Sequence, residues 1–232
     1  NSAAAYLMGD EPREALRRFE ELFAAHPAEL KLAWRAAYVH ALLAVDQARK
    51  ALPHIRELAR AYEGAKKSQW QEILLAQYMQ LEMSAEALAY ATDLTRTAPE
   101  NPKWWKALVH IQLSAGSNED ALAALIVYAF LTPLSPEEQK LLADLYLQSE
   151  IPLKAAPFYE ACLKAAPDRQ LLRRLVTAYR QLGRNQTALE RIEHFGVAAG
   201  DAELMMLRAE LLYALHHYDR AAEAFRCAAR ID

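Results

Sequence analysis

LLADLYLQSEIPLKAAPFYEACLKAAP, residues 141–167, decides how this chain folds. Large and small apolar residues recur in it at three- and four-residue steps. They do so once over Leu142, Ala143 and Tyr146, and again over Ala155, Tyr159 and Cys162. That is the period of a helix face, not of a strand. Pro152, just after Ser149-Glu150, belongs in a first helical turn, where its missing N–H costs nothing. Pro167 stops the second helix. The stretch therefore reads as two amphipathic helices joined by a turn.

The same offsets return along the chain. Pro99, Pro133 and Pro167 stand 34 residues apart. One repeat upstream are Leu108, Val109, Gln112, Ala121, Leu125 and Tyr128; one downstream are Leu175, Val176, Tyr179, Ala188, Ile192 and Phe195, with Gly200 at the proline position. The preceding unit supplies Leu74, Leu75, Tyr78, Ala87, Ala91 and Leu94. Turn signals, Gly116-Ser117-Asn118 and Gly183-Arg184-Asn185, separate the two halves of a unit. The alanines at 87, 121, 155 and 188 fall where two helices cross closely only without a bulky side chain.

Composition agrees with helix throughout. The 232 residues include 47 alanines and 36 leucines but only 6 valines and 7 isoleucines. Ala and Leu suit a helix, whereas β-branched residues suit a sheet. Six glycines and ten prolines leave little for long irregular stretches. A net charge of −3 gives no global basic excess for nucleic acid or an anionic membrane. The longest apolar run, Ala121–Leu131, is eleven residues, well short of the roughly 20 that span a bilayer. No secretory leader opens the sequence, so an export signal is expected to be absent or removed. Cys162 and Cys227 form no motif, which excludes a disulfide-stapled mini-domain and leaves the compartment open.

These residues resemble the tetratricopeptide repeat (TPR) family, whose unit is a 34-residue helix–turn–helix. The resemblance is strongest over residues 68–201. It implies an all-α solenoid, a right-handed superhelix of about seven hairpins, with the first helix of each lining a concave surface. The expected boundaries are 1–27 (partial), 28–67, 68–101, 102–135, 136–168, 169–201 and 202–232. In the first unit Ala15, Leu16, Phe19, Leu22 and Pro27 supply only a second helix, after a stub at Tyr6, which points to a longer chain upstream. The second unit holds Trp34, Tyr38, Ala48 and Leu52, and a kink is expected at Pro53. The last holds Ala209, Leu212, Ala221, Phe225 and Ala228 and stops at Asp232. Its final helix, apolar at Ala221, Ala222, Ala224, Phe225, Ala228 and Ile231, lacks the polar cap a solenoid needs. A second copy, a partner or further chain is expected to cover that face, a homo-oligomer through it being the first of these alternatives.

In this register Lys106, Lys140 and Arg173 take equivalent places in three first helices. Lys103, His110, Arg174 and Arg180 lie near that row, with Glu137 and Asp144 as acidic exceptions. Such a stripe would favour a protein or peptide ligand with acidic groups; the alternative is an ordinary solvated helix face. Some TPR co-chaperones clamp a C-terminal carboxylate with asparagine where this chain has His110, Asp144 and Thr177, so that activity is not expected. Trp105 and Trp34 are assigned to the core. Trp104, beside Trp105, is the candidate for an exposed contact, with burial as the alternative.

No H-E-x-x-H, C-x-x-C, G-x-S-x-G or phosphate-cradling glycine loop occurs. His216-His217 reads as a solvated turn, since adjacent helical residues face apart. Cys162 shares the core row of Tyr128 and Phe195. The reading is a non-catalytic interaction protein without metal or cofactor.

A narrower resemblance covers about 99–165. Trp104-Trp105, Ala121-Leu122, Leu141–Tyr146, Ser149–Pro152 and Lys154-Ala155-Ala156 look like bacterial TPR proteins that accompany the TonB–ExbB–ExbD transport machinery. That resemblance implies a periplasmic protein in contact with the TonB system, the cytoplasm being the alternative compartment. Two other readings are the helper region of a larger enzyme, such as a glycosyltransferase or lytic enzyme, and a self-associating structural module.

Overall fold

The computed structural model describes residues 11–25, 31–196 and 201–230. Tyr6, Pro27, Gly200 and Ile231 lie outside the described residues. The chain divides into two compact units, Asn1–Pro99 and Glu100–Asp232.

The first unit contains α1 (Pro12–Ala25), α2 (Leu32–Ala44), α3 (Ala48–Ala61), α4 (Gly64–Gln80) and α5 (Ser84–Thr97). The second contains α6 (Pro102–Ser114), α7 (Asn118–Leu131), α8 (Pro136–Gln148), α9 (Pro152–Ala165), α10 (Arg169–Gln181), α11 (Asn185–Phe195), α12 (Ala202–Ala214) and α13 (Tyr218–Ala228). Within each unit, every helix packs against its neighbours in sequence. Among the described residues there is no strand.

One turn is built six times. At Asp46, Glu82, Gly116, Glu150, Gly183 and His216 the backbone enters the left-handed region, with φ between 57° and 74°. In each case the next residue's N–H reaches back five residues, as from Ser117 to Gln112 O (2.9 Å) and from Ile151 to Tyr146 O (2.8 Å). This closure satisfies helix-end carbonyls that would otherwise be orphaned. Only two of the six positions hold glycine, so the glycine signals mark a minority of the turns. The turn spacing is 36 residues between Asp46 and Glu82, which makes Ala51 the partner of Ala87. Ala51, Ala87, Ala121, Ala155 and Ala188 are all essentially inaccessible, as close helix crossing requires.

The starts of the first helices are equally regular in the second unit. Asn101, Ser135, Asp168 and Asp201 each accept a backbone N–H through the side chain, and Ser135 with Glu138 forms a reciprocal capping box. Pro102 and Pro136 follow two of these caps in the first turn.

Buried residues from Ala143 to Ala224 form one core shared by successive hairpins of the second unit. Side-chain pairs show how its helices layer. First helices meet first helices, through Lys106–Glu138, Arg174–Asp144 and Arg180–Glu210. Second helices meet second helices, through Arg191–Glu160 and Arg220–Glu193. The apolar interior lies between these two sheets of helices.

Pro53, where a kink is expected, lies inside a helix continuous from Ala48 to Ala61, and Pro157 lies inside α9 in the same way. Both prolines are exposed and sixth in their helices, where solvent can reach a carbonyl deprived of its donor. Trp34 is half-exposed, not buried, with the Lys31 ammonium 5.3 Å from its ring centre. At the C-terminal end Ala221, Ala224 and Ala228 turn inward onto α12. A stripe at three- and four-residue steps has one side to bury, and the paired helix takes it. The rest of α13 leaves Ala222, Glu223, Arg226 and Tyr218 exposed and Phe225 half-buried, so part of the expected apolar face is taken by α12 and part stays open.

Candidate functional site

The positions equivalent to Lys106 fall on one side of α6, α8, α10 and α12, carrying Lys106, Lys140, Arg173 and Met206. Helical spacing sets this. The opposite sides of the same helices hold Leu108, Leu142, Leu175 and Leu204, all buried. The face so formed is polar and exposed, but it is not a row of bare cations.

Lys106 Nζ lies 2.8 Å from Glu138 Oε1, and over the Tyr128 ring at 5.9 Å. The Tyr128 hydroxyl donates to the same oxygen (3.1 Å), while Glu138 Oε2 accepts the Ser135 N–H (2.9 Å). Burial alone would push the Glu138 carboxyl up. Donation from Lys106, Ser135 and Tyr128 outweighs it and holds the carboxyl below its ordinary range. The hydrogen bond from Lys106 to that carboxylate in turn raises the lysine.

The other cations are tied in the same way. Arg174 binds Asp144 across the α8–α10 boundary. Asp144 also accepts the Tyr159 hydroxyl at 2.6 Å, and burial followed by that bond pushes the phenol up. Arg173 donates to Asp201 (3.1 Å) and pairs with Glu203, while Arg180 pairs with Glu210 at 2.7 Å. Asp201 is almost fully buried. Burial pushes its carboxyl up, but the Leu204 N–H and the guanidiniums of Arg173 and Arg169 prevail and hold it down. Lys106, Arg173 and Arg180 thus meet carboxylates of the next hairpin, and Arg174 meets one on the preceding first helix. The sequence row shows only the positive half of this ladder; Glu138, Asp201, Glu203 and Glu210 complete it.

Lys140 differs. It is half-exposed and makes no ion pair among the described residues. His110 is exposed, and Lys103, also exposed, uses its backbone N–H on the Asn101 cap (3.1 Å). Trp104, expected as an exposed contact, is only 2% exposed, and Trp105 is half-exposed. The reason is helical register: Trp104 shares the buried stripe of Leu108 and Ile111 at steps of four and three. That signal was in the sequence.

Between α6, α7 and α8 this face sinks into a cleft of about 290 Å3, bordered by Lys106, His110, Tyr128, Ser135 and Glu138. Its polar groups are hydrogen-bond donors and two carboxylates, Glu138, already in use, and Glu137 at the first turn of α8. Such a site can hold a polar or acidic side chain. No cluster of three or more metal-ligating residues occurs among the described residues, and no described helix is long and apolar enough to cross a membrane.

No family model and no curated protein matches the chain. Among solved structures, it is similar to a MamA protein with a TM-score of 0.58 at 14% identity, over 72% of this chain and 93% of that one. A tetratricopeptide repeat protein from Parabacteroides merdae aligns over 99% of this chain and 90% of its own, with a TM-score of 0.55 at 16% identity. MamA from Desulfovibrio magneticus gives 0.55 at 17% identity, over 73% and 97%. At such identities the likeness establishes the fold, an all-α TPR solenoid.

Proposed function

We propose that this chain is a non-catalytic scaffold that takes a peptide or a partner protein along the face of α6, α8, α10 and α12. The observation that carries the reading is the ladder of cation–carboxylate rungs between successive first helices, interrupted at Lys140. Exposed ion pairs are worth about 0–1 kcal/mol each, so they exchange partners cheaply. An acidic segment laid along the face replaces internal carboxylates by its own and gains Lys140 outright. The face discriminates by charge pattern, not by one deep pocket.

A photo-crosslinking residue at position 110 tests this, with position 223 on α13 as the control. Adducts at 110 that are lost with Lys106→Glu and Lys140→Glu support the reading; equal adducts at both positions overturn it.

The narrower proposal is that the partner belongs to the TonB–ExbB–ExbD machinery and that the protein works in a bacterial periplasm. It is supported by the sequence resemblance over residues 99–165. Crosslinked partners drawn only from cytosolic chaperones would count against it.

A further inference from the structure

On the other side of the second unit, a groove runs between the second helices α9 and α11, above α10. Its deeper part encloses about 590 Å3, within the range of specific ligand sites, and is walled by Leu163, Leu172, Leu175 and Phe195. A shallower part of about 360 Å3 continues along α9 past Leu153, Pro157 and Leu182. The two adjoin at Glu160 and Lys164, which line both. Leu153 is 58% exposed within it, a large apolar side chain on offer to an incoming ligand.

The charges along this groove are one-sided. Lys164, Arg169, Arg191 and His194 rim the deep part, and Arg184 rims the shallow part. The single acid, Glu160, is already spent on Arg191 (2.8 Å) and on the Tyr179 hydroxyl (2.6 Å). Of the carboxylates on α11, Glu193 is engaged with Arg220 and Arg208. Of the rim cations here Arg191 meets Glu160 and Arg169 meets Asp201, which leaves Lys164, Arg184 and His194 without a carboxylate among the described residues.

We propose that this outer groove binds an acidic peptide segment of a partner protein, anchored by bulky apolar side chains, independently of the first-helix face. The apolar wall takes the anchors, and the flanking carboxylates meet Lys164, Arg184 and His194. Apolar burial supplies affinity, and the charged rim supplies orientation and selectivity.

The probe is a synthetic peptide, GGEDFLEEL-amide, labelled with fluorescein at its N-terminal amine, titrated with the full chain and read by anisotropy. Two controls replace its apolar residues with alanine or its acids with their amides. Each control should bind at least about tenfold more weakly, and Lys164→Glu combined with His194→Glu should cost as much while the circular dichroism stays unchanged. Lys140→Glu should leave the affinity as it was. Absence of binding at millimolar protein overturns the proposal. So does equal binding by the alanine control, an unaffected double variant, or an equal loss with Lys140→Glu, which would assign the peptide to the first-helix face.

Discussion

The Arg174 guanidinium of α10 reaches back to the Asp144 carboxylate of α8, whose other oxygen accepts the Tyr159 hydroxyl at 2.6 Å. Tyr159 is completely buried in the shared core, so one carboxylate ties the exposed face to the interior. Asp144→Ala strands the phenol and should cost about 1–3 kcal/mol, whereas Tyr159→Phe removes donor and leaves Arg174 in place, at about 1 kcal/mol. Urea titrations of both singles and the double should show non-additivity. Strictly additive losses would mean that the two bonds are not one unit.

The recurring left-handed turn residue gives a second expectation. Such a backbone costs an ordinary L-residue about 1–2 kcal/mol and costs glycine little. Glu82→Gly and Glu150→Gly should each stabilise the protein by about 0.5–1 kcal/mol after the entropy of the unfolded glycine is counted. Gly116→Ala and Gly183→Ala should destabilise it, although a Cβ at either position meets open space. Thermal unfolding of the four variants checks the sign.

Helix starts differ between the units, and that difference is measurable. Ser135→Ala removes a cap and should cost about 1 kcal/mol. Glu63 opens α4 in extended backbone (φ −122°, ψ 165°) without a side-chain cap bond. Glu63→Ser should therefore stabilise by about 0.5–1 kcal/mol. Denaturant midpoints with unchanged slopes would establish both.

Acid should loosen the ladder. Asp201 and Glu138 are held below their ordinary values in the folded protein, so their contribution is present above the unfolded value and is lost as pH falls through the lower folded one. Stability should begin to decline as the pH falls into the ordinary carboxylate range and go on declining below it. Asp201→Asn should flatten that decline while lowering stability at neutral pH. An acid limb identical to that of the unaltered protein would show that Asp201 does not contribute to it. At the other extreme, Lys106 is raised, so its contribution persists through the ordinary lysine range and fades only above it.

Much of the fold can be read from residues in order. The spacing of Leu142, Ala143, Tyr146, Ala155 and Tyr159, together with the prolines, places the hairpins because helix faces, caps and turns are local. The four caps from Asn101 to Asp201 carry the same register and were equally open to reading. Trp104 is buried because it shares the inward stripe of Leu108 and Ile111, while its neighbour Trp105 stays half-exposed.

By itself, then, the sequence determined the helical class, the hairpin period and which side of each helix is apolar, since these depend on contacts within a few residues. Only the tertiary structure decided which charges are free. Arg173 meets Asp201 and Arg174 meets Asp144 across 28 and 30 residues, and whether such groups come within hydrogen-bonding distance depends on how one helix is rotated against the next. The same packing left Lys140 unpaired on one face and opened the groove beside Lys164 on the other.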